Sequence, residues 1–399
     1  MNTKLVRAFR VLSVAAFATV VAASQAAYTI TTYNYPGALG TQAWGINNSL
    51  QVAANANLGP GIADGVGFVY TYGTGSITLL PTPAPGSVAV PLGINDAGVM
   101  AGGVNSSAVT TSTGFVLNGG TFALFNYPGA VSTYGRAINA SGNVTGYYED
   151  AVGNLGGYLY NPLTAAFTPI TFPGSSVTFA QGSNSAGVIV GSAILPANGA
   201  YPGSPSGQYG YVRQSAGTVT FFRVNGRPTR ARGINDAGTI VGWLNDVTPG
   251  ETKGFVVTVP TGASYANVSV PVSEYLSVTG NPQTFAEGIN NLGFISGSAS
   301  DGVGGSIAFV AAPSPATLIA DLDAAIDGFG LPRGLANALG AKLDAALAAL
   351  DAGNVTGACN NLKALINQAN AQSGKKLTVA QANQIITAAN AIRATLGCA

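Results

Sequence analysis

The sequence predicts a mainly β fold: a six-bladed β-propeller closed by its N-terminal strand and followed by a small α-helical bundle. Three observations carry this. The composition is rich in glycine and poor in charge, three short motifs recur six times each, and the sequence turns alanine- and leucine-rich after Pro313. The 399 residues hold 55 Gly and 21 Pro, and only 8% are charged, against roughly 25% in soluble domains. Such a chain suits short strands joined by tight turns. With 47% hydrophobic residues, 16 Tyr and 16 Phe it can bury a core, so disorder is not expected.

Composition also excludes chemistry. No histidine is present, which removes Ser-His-Asp and Cys-His catalysis, His-ligated zinc and His proton shuttling. A net charge of +1 gives no basic footprint for nucleic acid.

Residues 1–27 read as a secretory signal. Lys4, Arg7 and Arg10 precede the twelve-residue apolar run Val11 to Ala22, and Ser24-Gln25-Ala26 supplies a small-x-small cleavage site. Twelve apolar residues are too few to span a bilayer, and no longer run follows. A buried N-terminal helix is the competing reading.

The first repeated motif is Gly-Ile-Asn with a turn and a hydrophobic-Gly ending, clearest at Gly233 to Gly242. Its asparagines are Asn47, Asn95, Asn139, Asn184, Asn235 and Asn290, spaced by 48, 44, 45, 51 and 55 residues. The second motif is Gly-aromatic-aliphatic, as in Gly67-Phe68-Val69-Tyr70 and Gly254-Phe255-Val256, with a sixth copy at Ile307 to Val310 that lacks the glycine. The third ends in aromatic-Pro-Gly at Tyr35, Tyr127 and Phe172, and more loosely near Pro81, Asn225 and Pro271.

Each unit therefore reads as four strands. Strand c enters the asparagine motif, d leaves it, a carries Gly-Phe-Val, and b precedes the Pro-Gly. The Asn-Asp-x-Gly form of the c–d turn suits a tight hairpin. Four strands in about 45 residues, repeated four to eight times, is the propeller pattern. The chain starts on a b strand, Tyr28 to Tyr35, and the repeats stop on an a strand, so the first can complete the sixth blade. An open β-solenoid is the alternative.

The motifs resemble the bacterial extracellular HAF repeats over residues 28–313, with Gly-Phe or Gly-Tyr where that family has His-Ala-Phe. The resemblance implies a secreted repeat protein and no particular chemistry.

Residues 314–399 carry leucines and isoleucines at helical spacing, from Leu335, Leu339 and Leu343 to Ile385 and Ile392. Gly330, Gly353 and Gly374 punctuate them, and Thr378 is a plausible N-cap, giving three or four antiparallel helices. Cys359 and Cys398 are the only cysteines and are expected to pair in an oxidising compartment; two free thiols are the alternative. The stretch 330–398 resembles the FIMAH module found at the C-termini of many secreted bacterial proteins, which implies attachment or presentation rather than catalysis.

Charges outside the tail have a direction. In c-d-a-b units the b–c and d–a loops share one face, and 13 of the 17 charges in residues 28–313 lie there. The residue before each Gly-Ile-Asn motif is Trp44, Leu92, Arg136, Gln181, Arg232 or Glu287, a set expected to ring the channel mouth. Arg227 and Arg230 extend its positive patch. Arginine forks anions and tryptophan stacks on sugar faces, so the candidate ligand-binding residues are Trp44, Arg136, Gln181, Arg227, Arg230, Arg232 and Glu287. The plainer alternative is a solvated loop face.

Only Asp96 and Asp236 place a carboxylate in the turns, too few for calcium, so no metal site, cofactor or catalytic residue is assigned. The expected protein is a secreted, non-catalytic binder of an extracellular polysaccharide or cell-envelope component. One alternative is a polysaccharide-active enzyme pairing Glu287 with Glu149, Asp150 or Asp246. Another is a structural or adhesive repeat protein.

Overall fold

The computed structural model describes residues 28–398 except 62–63, 107–108, 201, 246–249 and 301–303. The expected signal segment and the charges Asp246 and Asp301 lie outside the described residues.

Twenty-four strands fall into six antiparallel units. The first strand, β1 (Tyr28–Tyr33), precedes unit one in the chain. Unit one is β2 (Gly40–Ile46), β3 (Gln51–Asn57), β4 (Gly65–Thr71) and β5 (Ser76–Leu79); unit two is β6 (Ser87–Ile94), β7 (Met100–Ser106), β8 (Val109–Asn118) and β9 (Thr121–Phe125). Unit three is β10 (Ala130–Ile138), β11 (Val144–Asp150), β12 (Leu155–Asn161) and β13 (Ala166–Ile170); unit four is β14 (Val177–Ser183), β15 (Ile189–Leu195), β16 (Gly207–Arg213) and β17 (Val219–Val224). Unit five is β18 (Thr229–Ile234), β19 (Thr239–Asn245), β20 (Thr252–Thr258) and β21 (Tyr265–Val268); unit six is β22 (Gln283–Ile289), β23 (Ile295–Ser300) and β24 (Ser306–Pro313). β1 pairs antiparallel with β24 from Tyr28↔Pro313 to Tyr33↔Ala308 and supplies the fourth strand of unit six.

The asparagine of each c–d turn explains its own recurrence. Its Oδ1 accepts backbone N–H groups of its own hairpin, as Asn290 does from Leu292 (3.0 Å) and Phe294 (2.9 Å). Its Nδ2 donates to the next unit's asparagine carbonyl. Asn47 donates to Asn95, Asn95 to Asn139, Asn139 to Asn184, Asn184 to Asn235, Asn235 to Asn290, and Asn290 back to Asn47. The six bonds close a cycle. The asparagine amide carries its acceptor and its donor on separate atoms, so one side chain closes its own hairpin and reaches the next unit at once.

The other two motifs interlock. In units two to six a glycine of the d strand faces the aromatic of the following a strand, as Gly102↔Phe115, Gly146↔Tyr158, Gly191↔Tyr211, Gly242↔Phe255 and Gly297↔Phe309, while in unit one Ala54 faces Phe68. At Gly242 a Cβ would lie 2.0 Å from the Arg230 carbonyl oxygen and 2.8 Å from the Phe255 ring. The ring therefore occupies the volume that glycine leaves vacant.

Unit five departs from the expected order. β21 pairs parallel with β17 of unit four instead of lying on β20, whose outer edge meets the start of β22 at Thr252 and Leu276 at Gly254. Side-chain clamps hold β21 away. Asn225 bonds the backbone of Val270 in both directions, Thr220 Oγ1 donates to the Ala263 carbonyl, and Asn267 Oδ1 accepts the Gly226 N–H.

Four helices follow: α1 (Pro315–Gly328), α2 (Arg333–Asp351), α3 (Val355–Gln372) and α4 (Val379–Thr395). Ser314 caps α1 through the Thr317 N–H, and Thr378 with Gln381 forms a capping box on α4. The Cys359–Cys398 disulfide is formed, with 5.7 Å between Cα atoms, and ties α3 to the end of α4. One apolar cluster runs from Val52, Phe68 and Phe294 in units one and six into Leu322, Leu362 and Ile385 of the helices, so the bundle shares a core with the strands it touches. Among the described residues no helix is long and apolar enough to cross a membrane.

Candidate functional site

Each innermost strand contains a β-bulge at the same place. The register skips between Ala43 and Ile46, Pro91 and Gly93, Gly135 and Ala137, Ala180 and Gly182, Ala231 and Gly233, and Ala286 and Gly288. The unpaired residues are Trp44 with Gly45, then Leu92, Arg136, Gln181, Arg232 and Glu287. A bulge re-aims its side chain, and six in register turn these residues toward one another. The glycine after each bulge lets neighbouring backbones approach: a Cβ on Gly288 would lie 2.5 Å from the Trp44 carbonyl oxygen. The hub is consequently narrow, with a cavity of about 80 Å³ lined by Leu92, Arg136, Gln181, Arg232 and Glu287.

The hub is a connected network. Arg136 Nη2 contacts Glu287 Oε2 at 2.9 Å, and Arg232 Nε lies 3.4 Å from the same oxygen. Gln181 Oε1 accepts from Arg136 Nε and from Arg232 Nη1, each at 2.8 Å. Arg136 lies over the Trp44 ring at 4.6 Å, and the Trp44 indole donates to Asn55 Oδ1. Two guanidiniums thus face one carboxylate, leaving an excess positive charge in a largely buried site. Burial lowers the Arg232 pKa to about 10, with Glu287 opposing that shift. Two buried N–H donors, Arg232 Nε and Trp243 Nε1, make no hydrogen bond.

Arg230 joins this group through Trp243. Its guanidinium sits 4.5 Å from that ring's centre, and Arg232 is at 5.3 Å. Arg227 lies in the turn after β17, its backbone N–H bonded to the Val224 carbonyl. Of the carboxylates expected to partner Glu287, Asp150 is committed within its own turn, where it accepts from Val152 N, Asn154 N and Asn154 Nδ2.

An aromatic collar went unread in the sequence. Tyr134 stacks on Tyr147 at 4.8 Å, Phe179 packs edge-on against Tyr147, and Phe285 packs edge-on against Trp243. Its signal is the residue two before the bulge in units three, four and six, where Tyr134, Phe179 and Phe285 recur in register, with Arg230 at that place in unit five. Most of the collar is half-buried, so ring faces near the charged hub remain reachable.

At the opposite end the six asparagines and the residues after them enclose a shallow hollow of about 90 Å³. Asp96 accepts both Asn48 N–H groups, and Asp236 accepts from Ser185 and Asn291, so these carboxylates join units rather than face a ligand.

No family model matches the chain, and no curated protein matches it. Solved structures that resemble it include TolB from Acinetobacter baumannii (TM-score 0.39, 11% identity, 72% of this chain and 55% of that one). The Hadza microbial sialidase Hz136 gives a TM-score of 0.44 at 10% identity over 69% of this chain and 66% of its own. AofleA from Arthrobotrys oligospora gives 0.33 at 11% identity over 71% and 88%. What the fold and hub define by themselves is a propeller-like repeat protein with a charged, aromatic-rimmed centre and a disulfide-tied helical end.

Proposed function

We propose that the six units are blades of one closed propeller, completed by β1, and that the protein binds an acidic glycan at its hub without catalysis. The closed asparagine cycle and the β1–β24 pairing support the closure. The binding reading rests on one arrangement: a hub with excess positive charge and two unbonded N–H donors, rimmed by aromatic faces. A uronate carboxylate would accept from Arg232 and Arg230, and its sugar ring would stack on Trp243 or Tyr147. Glu287 is already engaged by Arg136 and Arg232.

The same reading makes residues 1–27 a secretory signal, 28–313 the HAF-type binding domain and 314–399 a FIMAH-like module that anchors or presents it outside the cell or in the periplasm. The formed disulfide and the absence of a spanning helix among the described residues are compatible with that address.

An array of uronate-bearing and neutral oligosaccharides tests the function. Retention should favour the uronates, weaken with salt and fall at least about tenfold in Arg232→Ala, a loss worth roughly 1.4 kcal/mol. A melting curve must show that variant folded. Equal retention of neutral and acidic sugars, or none by the wild type, overturns the reading. Release of reducing sugar would replace binding by hydrolysis.

A further inference from the structure

Every a strand but one is covered on its outer edge. β4, β8, β12, β16 and β24 pair with β5, β9, β13, β17 and β1. β20 pairs outward only over its first residues: the Thr252 N–H bonds the Pro282 carbonyl beside β22, and the Gly254 N–H and C=O both bond Leu276. Backbone groups along a strand alternate in direction, so those of Val256 and Thr258 point the same way as Gly254's. Among the described residues no strand receives them. β21, which fills this position in sequence order, has gone to unit four.

The vacated place opens on a cavity of about 480 Å³. Val256 and Val270 line it from unit five, and Leu318, Leu322 and Ala388 line it from α1 and α4. Its volume is in the usual range for ligand sites. Asp321 on α1 stands at its rim, exposed, with no hydrogen bond or ion pair among the described residues, and no lysine or arginine lines the cavity.

We propose that the outer edge of β20 over Val256–Thr258 accepts an extended, apolar peptide bearing a cationic side chain, added as a fourth strand of unit five with its cation at Asp321. Unpaired main-chain donors and acceptors specify an extended peptide rather than a compact ligand, since they repeat at strand spacing. The apolar walls take alternate side chains. Charge complementarity selects lysine or arginine near Asp321. This surface is separate from the hub, and neither proposal depends on the other.

The probe is a fluorescent hexapeptide, VTFFRV, identical to the strand Val219–Val224 that covers β16 in the neighbouring unit. Titrated into the full-length protein, it should bind saturably. Methylating the peptide's backbone nitrogens on its pairing edge should weaken binding at least about tenfold, the loss expected from one or two hydrogen bonds. That comparison leaves the protein untouched. Val256→Pro, which removes an outward N–H and spares the β19 pairing, should weaken binding similarly. Asp321→Asn should weaken VTFFRV but leave VTFFQV unchanged. The proposal is overturned if the wild type does not bind, if the methylated peptide binds as well as its parent, or if the Asp321 variant treats both peptides alike.

Discussion

Glu287 is the residue on which the hub balances, because it is the carboxylate that both Arg136 and Arg232 contact. Glu287→Gln would leave two buried guanidiniums facing each other, a loss of roughly 3–5 kcal/mol in stability. An acidic glycan should then raise the melting temperature of that variant more than that of the wild type, as measured by differential scanning fluorimetry. Equal shifts would mean that the ligand does not reach the hub. Arg232 adds a pH dependence. Its folded pKa of about 10 lies below the usual arginine value, so above pH 10 the folded protein releases a proton that the unfolded chain still holds. Stability from this group therefore rises between pH 10 and the ordinary arginine range, while anion binding falls as the charge is lost. Binding at pH 8 and pH 10.5, with the fold checked by circular dichroism, separates the two effects. At the other end of the hub, Ala140 interrupts the outer chain of bonds that Asn48, Asp96, Ser185, Asp236 and Asn291 make between units. Ala140→Asp places an acceptor beside the Asp96 backbone and should stabilise by about 0.5–1.5 kcal/mol, visible in urea unfolding.

Among the elements, the helical end shows how closely local stability follows one covalent link. The Cys359–Cys398 bridge closes a loop for which chain entropy gives about 4 kcal/mol. Since the bundle shares an apolar cluster with units one and six, its loss should not stay local. In Cys359→Ser/Cys398→Ser, hydrogen exchange should rise in α3 and α4 and then in β3 and β4. Exchange confined to the helices would show that the shared cluster transmits little. The elements were also where the sequence was most legible. Asparagine at six regular positions, glycine facing aromatic, and Thr378 before an amphipathic run each have a local physical cause, and each gave the element found. Where the cause is tertiary, the sequence was silent. The exchange of β21 to unit four depends on Asn225, Thr220 and Asn267 reaching across a gap of more than forty residues. The bulge residues could be listed from the motif, but the collar around them follows from side-chain direction, which periodicity does not encode.

At the scale of the whole molecule, the asparagine bonds join all six units, so the strand that begins the described chain bears on more than the unit it completes. β1 gives β24 its outer partner through six residue pairs and places Tyr33 in a stack with Tyr70 of unit one at 3.7 Å. Tyr33 thus links units one and six, the two between which the asparagine cycle closes from Asn290 to Asn47. Deleting residues 28–33 removes both connections and bares an apolar edge at Phe309 to Ala312. A β-edge exposed in this way invites pairing between chains. The truncated protein should therefore melt well below the parent and form dimers or larger species on size-exclusion chromatography, whereas substituting the exposed Thr31 by Ser should do neither. Restoring the strand as a separate peptide, YTITTY, should recover part of the lost melting temperature in proportion to peptide concentration, because a ligand that binds only the folded state stabilises it by mass action. A truncated protein that melts with the parent and stays monomeric would show that the ring is held by its inner strands alone.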